Sequence, residues 1–270
     1  MSADSVKKRK ILKVTDGEAS WVEDSIVTEQ VLTIKLNGEE FVTVVCSPEY
    51  MEDLAVGYLT AEGVIRSAKD ISSVRLDQKG GFIHVMADHL NPLYGSLQNK
   101  RYITSCCGGS RQGFVFASDA MTAKTMTEQS VKLKPEQCFN LMKKLQHSAD
   151  TFKETGGVHN AALCTEDDIV LSRMDIGRHN ALDKIYGHCL RNDISVKNKV
   201  IVFSGRLSSE ILLKVAKIGC EMVISKSAPT ERALDLAEEL NMTTVGFVRG
   251  NSFNVYTCPE RIRLKEAPVY

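Results

Sequence analysis

The sequence predicts an α/β protein, α+β overall, with a smaller hairpin-rich α+β half followed by a strand–helix–strand half. Three observations carry this. Asn37-Gly38 separates two runs rich in β-branched residues, and Asn-Gly tolerates positive φ at both turn positions, so it marks a hairpin. Gly80-Gly81 joins a second such pair. From Lys199 onward, short apolar runs alternate with helical spacings, which implies parallel strands with helices packed across them.

Taken in order, the first ten residues are polar and are expected to fray. Strands follow at Ile26 to Leu36 and Glu40 to Cys46. Pro48 opens a helix that carries Met51, Leu54, Ala55, Tyr58 and Leu59 at helical spacing and stops near Gly63. The second hairpin pairs Ser73–Asp77 with Phe82–Ala87, and Asn91–Asn99 is irregular. Pro135 near the first helical position starts a helix with Cys138, Leu141, Met142 and Leu145 on one face. Lys199–Phe203, Met222–Ser225, Thr243–Val248 and Phe253–Thr257 read as strands, with helices at Leu207–Ile218 and Thr230–Leu240. The texture changes between Phe116 and Lys134, so the chain divides into an N-terminal α+β domain, 11–125, and an α/β domain, 126–270.

Composition excludes several classes. The 270 residues hold 34 Lys+Arg against 34 Asp+Glu, and this neutrality argues against general nucleic-acid binding, which rests on phosphate neutralisation. The longest stretch without a charged residue runs only from Thr155 to Thr165, too short to span a bilayer. No apolar signal core follows the basic start, so a cytoplasmic protein is expected, with no membrane partner. The eight cysteines are scattered, without a C-x-x-C pair, and most lie in apolar runs as small buried hydrophobes.

Four segments could carry chemistry. Thr104-Ser-Cys106-Cys107-Gly-Gly-Ser110 puts two thiols beside two glycines, with Arg111 close enough to favour a thiolate; an ordinary Gly-Gly turn with incidental cysteines is the bland alternative. Thr155-Gly-Gly-Val-His159-Asn-Ala-Ala-Leu163 sets a histidine after a Gly-Gly turn, where it would start a helix over a cleft. A zinc deaminase would need H-x-E here and P-C-x-x-C downstream, but residue 161 is Ala and the second motif is absent. A structural histidine and no metal are therefore expected. Asp175-Ile-Gly-Arg178-His179-Asn-Ala-Leu-Asp-Lys184 crowds polar groups at a helix start, suited either to an anion or to simple capping by Asp175. Finally, Ser204-Gly205-Arg206, Ser227-Ala-Pro-Thr230 and Arg249-Gly250-Asn251-Ser252 each follow a strand. Ligands of open parallel sheets bind outside the carboxyl ends of strands, and hydroxyls, glycines and arginines there suit a phosphate-bearing ligand.

Together these segments resemble the FdhD family of formate dehydrogenase accessory sulfurtransferases. The matching runs are TSCCGG, TGGVHNAAL, DIGRHNALDKIYG, VFSGR, SAPTERALDLAEEL and VGFVRGNSFNVYTCPERI, in order from Thr104 to Ile262; MEDLAVGYLTAEG looks like the family's first domain. The resemblance implies a C-terminal fold similar to cytidine deaminases, a three-layer α/β domain without their zinc. It implies that persulfide sulfur from a cysteine desulfurase passes to a molybdenum cofactor carrying two guanine-dinucleotide pterins (Mo-bis(molybdopterin guanine dinucleotide)), and on to the client formate dehydrogenase. It implies Cys107 as persulfide carrier, with Phe247, Val248, Arg249, Gly250, Asn251 and Ser252 binding the cofactor, and a homodimer. Ser204, Gly205, Arg206, His159, Arg178 and His179 are further candidates for the cofactor groove. The family loop usually reads S-C-G-x-C-G; here Ser110 replaces the second cysteine and Cys106 is an extra thiol upstream, a possible auxiliary. Two other classes stay open: a non-catalytic chaperone that binds and delivers the cofactor, and a diverged deaminase-like hydrolase, which bound zinc would favour.

Overall fold

In the computed structural model, residues 5–92, 122–128, 130–148 and 155–264 are described. Cys106, Cys107 and the rest of their loop lie outside them. Among the described residues the mixed α/β fold contains twelve strands in three sheets and five α-helices.

A two-stranded antiparallel ribbon opens the chain, β1 Val6–Thr15 and β2 Glu18–Val27. The expectation of a frayed start is thus corrected. The ribbon escaped the sequence because most of its residues are exposed on both faces, so no alternation of apolar and polar residues marks it. The single strand expected over 26–36 also divides, since β2 ends at Val27 and β3 starts at Gln30.

The second sheet has the order β4-β3-β6-β5, from β3 Gln30–Leu36, β4 Glu39–Cys46, β5 Ile71–Asp77 and β6 Phe82–Ala87. Leu36 pairs with Glu39 across Asn37 and Gly38, whose φ values of 49° and 91° are those the hairpin turn requires. The Gly80-Gly81 hairpin forms as expected. Leu32, Ile34, Ile83 and Val85 bury one face against helix α1, Met51–Ala61, which contributes Leu54, Ala55 and Leu59. This helix starts at Met51 instead of Pro48, because Tyr50 ahead of it is left-handed.

The third sheet has the order β12-β11-β10-β9-β7-β8. Its strands are β7 His159–Cys164, β8 Ile169–Asp175, β9 Val200–Phe203, β10 Met222–Ser225, β11 Thr243–Arg249 and β12 Ser252–Thr257. Strands β9, β10 and β11 are parallel; β7 runs antiparallel to β9, so its first residue lies at the edge where the parallel strands end. One face, with Ala161, Leu163, Ile201, Phe203 and Val223, packs on α3 Arg178–Arg191, α4 Ser209–Ile218 and α5 Glu231–Glu239. The opposite face, with Ala162, Cys164, Val202 and Ile224, is covered by α2, Pro135–His147. The helix expected to start at His159 is instead β7. Its run of small apolar residues is covered on both faces, so the two-residue alternation that betrays a strand is missing.

Helices α1 and α3 join the two halves through paired D-x-x-x-G segments, Asp53 to Gly57 and Asp183 to Gly187. A Cβ on Gly57 would fall 1.8 Å from the Asp183 carbonyl oxygen, and one on Gly187 would fall 1.9 Å from that of Asp53. Only glycines let the two backbones approach so closely. Around the crossing, the buried Asp53 carboxylate accepts from Arg173 (3.1 Å) and Arg191 (2.6 Å) and lies 2.9 Å from His188 Nδ1.

Candidate functional site

The carboxyl ends of β9 and β10, the amino end of β7 and the start of α3 enclose a cavity of about 510 Å³. Its position follows from the parallel strand order. Among the described residues three cations line it, Arg178, Arg206 and Lys226, and no carboxylate does. Glycines 156, 157 and 205 bring backbone to its wall, and Met142, Leu145 and Val158 form an apolar side.

Each polar wall element is fixed by its neighbours. The Asn160 N–H donates to Ser204 Oγ and the Ser204 N–H to the Asn160 carbonyl, both at 2.9 Å. Ser225 Oγ donates to the Gly205 carbonyl (2.7 Å) and Ser227 Oγ to that of Ser204 (3.2 Å), tying the exits of β9 and β10 together. No side chain at Gly205 screens the imidazole of His159: a Cβ there would stand 3.4 Å from Nδ1. The Asp175 carboxylate is fully buried. One oxygen accepts from the Gly177 N–H (2.8 Å) and Asn180 Nδ2 (2.9 Å), the other from Lys184 Nζ (2.6 Å) and the Ser47 N–H (3.0 Å). Asp175 therefore holds the turn that delivers Arg178 to the cavity and fastens it to the end of β4. The capping expected of it is not made: Gly177 is the N-cap residue and receives no side-chain cap hydrogen bond, so Asp175 braces the turn ahead of the helix, and the half-buried Arg178 supplies a cation suited to an anion.

Burial, and then the positive charge of Arg178, hold the His159 imidazole below its ordinary pKa, with Asp175 opposing. His159 is thus the neutral member of a cationic cavity. His179, by contrast, does not line the cavity; its Nε2 lies 3.0 Å from Glu210 Oε2. Burial raises the Glu210 carboxyl, but contact with His179 outweighs it and leaves the pKa lowered.

The segment Phe247–Ser252 does not line the cavity either. It forms the tip of the β11–β12 hairpin, with Arg249 paired to Ser252 across Gly250 (φ 52°) and Asn251. The Phe247 N–H reaches the Ser227 carbonyl at 3.3 Å, which seats the hairpin beside the cavity. The Arg249 guanidinium lies over the Phe247 ring at 5.3 Å, both side chains exposed, whereas the Val248 side chain is buried in the core. Lys226 was missed by sequence reasoning, although the rule that found Ser204–Arg206 applies to it: it is the first residue past β10.

The six described cysteines are unsuited to nucleophilic work. Burial pushes Cys46, Cys138 and Cys164 up to about 12 and Cys189 to about 11; it also raises Cys220 and the half-buried Cys258. Among the described residues no group of three or more His, Cys, Asp or Glu is arranged to hold a metal ion, and no helix is long and apolar enough to cross a membrane.

Comparison with known proteins gives a consistent result. The FdhD/NarQ family model matches residues 27–263. A sulfur carrier protein FdhD of Shouchella clausii is 57% identical over 95% of this chain and 97% of its own, and that of Bacillus subtilis is 56% identical over 94% and 97%. A crystal structure from Desulfotalea psychrophila, described as that of a formate dehydrogenase accessory protein, is similar with a TM-score of 0.76 at 25% identity, covering 96% of this chain and 99% of that one.

Proposed function

The chain belongs to the FdhD/NarQ family, and from that premise we propose that it is a cytoplasmic sulfur carrier in formate dehydrogenase maturation. It takes persulfide sulfur from a cysteine desulfurase onto Cys107 and passes it to a molybdenum cofactor bearing two guanine dinucleotides, which it holds as cargo. The names of its relatives support the carrier role and the formate dehydrogenase client. The observation that carries the cargo reading is the cavity, which among the described residues is lined by three cations, no carboxylate and glycine backbone at the strand ends. Its volume lies within the range of roughly 300–1,000 Å³ usual for small-ligand sites, enough for one guanosine diphosphate arm.

The roles divide by chemistry. Arg178, Arg206 and Lys226 would meet the diphosphate, Gly205 would let backbone approach it, and the apolar side would take the flat base. Arg249 on the neighbouring hairpin tip would contact a part of the cargo reaching beyond the cavity. On the sulfur side, a thiolate attacks the outer sulfur of the donor persulfide. A new S–S bond forms as the old one breaks, and the donor leaves as thiolate. The raised pKa values of the six described thiols support assigning this step to Cys106-Cys107, beside which Arg111 stands in sequence.

Guanosine diphosphate titrated into the protein tests the cargo site. It should bind more weakly as salt rises. Arg206→Ala, which removes a charge-assisted contact worth about 1.5–3 kcal/mol, should weaken it about ten- to hundredfold. Equal binding by wild type and Arg206→Ala would remove the cavity from the account.

A further inference from the structure

Among the described residues that line the cavity, His159 is the group whose charge can change near neutral pH, beside the cations Arg178, Arg206 and Lys226. His159 is the first residue of β7, and neither ring nitrogen has a hydrogen-bond partner among the described residues. Each element packed around it contributes a charge or none. From α3 comes Arg178, with His179 behind it engaged by Glu210 of α4; from the exits of β9 and β10 come Arg206 and Lys226. Across the β7–β8 ladder stands Asp175, whose charge is taken up by Lys184 and three further donors. Helix α2 presents Met142, Leu145 and Gln146, which carry no charge.

We propose that His159 is the titrating contact of the diphosphate site: it takes up one proton as a diphosphate diester enters, and so ties affinity for the cargo to pH. The proposal rests on the cavity being the site for the nucleotide end. In the free protein burial and the charge of Arg178 disfavour an imidazolium. A bound dianion reverses the sign of that field, because opposite charge within about 4–6 Å favours the protonated ring. The protonated ring then donates from both nitrogens, where the neutral ring donates from one.

The direction follows from linkage. The free His159 pKa lies below its ordinary value, and the bound one is higher, so the complex binds more protons than the free protein between the two. Affinity therefore rises as pH falls through that window, by up to about tenfold per pH unit, and is flat above and below it. Cargo would be gripped at lower pH and loosened as pH rises.

The probe is guanosine diphosphate mannose, whose diphosphate is a diester and does not itself titrate near neutrality. Calorimetry at pH 5.5, 6.5 and 7.5 in two buffers of unlike protonation heat reads affinity and proton uptake together. Wild type should take up as much as one proton per site, with affinity rising several-fold per unit of falling pH. His159→Gln should bind with no uptake and a flat pH profile, while His179→Gln keeps both the uptake and the slope. Binding by wild type without proton uptake, or uptake that persists in His159→Gln, would overturn the inference and leave the cavity reading standing. No binding at any pH by any of the three proteins would overturn the cavity reading, and the inference with it.

Discussion

Gly57→Ala sets two effects against each other. By helix propensity alone, replacing a mid-helix glycine with alanine stabilises by about 0.8–1 kcal/mol. The α1–α3 crossing predicts the reverse. The new Cβ would fall 1.8 Å from the Asp183 carbonyl oxygen and 2.7 Å from its carbon, both backbone atoms that no rotamer change can move. The helices must part by roughly 1.5–2 Å to restore ordinary contact. Overpacking of that kind costs about 1–3 kcal/mol. Separation would also stretch the Asp53 contacts with Arg173, Arg191 and His188, now 2.6–3.1 Å, past hydrogen-bonding range. A buried carboxylate stripped of its partners costs about 3–5 kcal/mol. Steric and electrostatic costs therefore outweigh propensity, for a net loss of about 3 kcal/mol or more. In urea unfolding the midpoint should fall by about 1 M or more. Because α3 also carries Arg178 into the cavity, guanosine diphosphate affinity should fall as well. A variant as stable as wild type, or more stable, would refute the claim that these glycines fix the crossing.

Three further outcomes follow. In native protein a thiol reagent at pH 8 should label Cys106 and Cys107 and leave Cys46, Cys138, Cys164, Cys189 and Cys220 untouched until denaturant is added, since burial keeps those five protonated; peptide mapping by mass spectrometry reads this. The lowered His159 pKa makes folding stability fall as pH drops below about 6.5, the unfolded value, down to the folded pKa, because the unfolded chain binds more protons there. His159→Gln should lose that part of the slope when unfolding is compared at pH 7.5 and 5.5. Lys226→Ala, at an exposed site, should weaken guanosine diphosphate binding while leaving the unfolding midpoint within about 0.5 kcal/mol of wild type.

Much of the fold was legible because local chemistry and global position agreed. Asn37-Gly38 demands a turn only a hairpin uses, and the runs from Val200 to Arg249 alternate at spacings that suit parallel strands with crossover helices. What was hidden depended on partners distant in sequence. The small apolar run of β7 reads as a strand only once β8 and β9 flank it. Gly57 and Gly187 look like helix weaknesses until each faces the other's backbone. The site was legible to the same degree. Strand-end chemistry found Ser204–Arg206, and the polar helix start found Arg178. That His179 would turn to Glu210, and that the Arg249 hairpin would stand beside the cavity and not in it, depend on packing directions that no spacing encodes.

The central claim is that this chain carries sulfur on one thiol of the Cys106-Cys107 pair. Incubating the protein with a cysteine desulfurase and cysteine, then measuring intact mass, tests it most directly. The account predicts a gain of about one sulfur atom that a reductant removes, mapped to Cys107, abolished in Cys107→Ala and retained in Cys106→Ala. A protein that binds guanosine diphosphate with the expected salt dependence, yet gains no sulfur under these conditions, would contradict the account and leave a cofactor-delivering chaperone in its place.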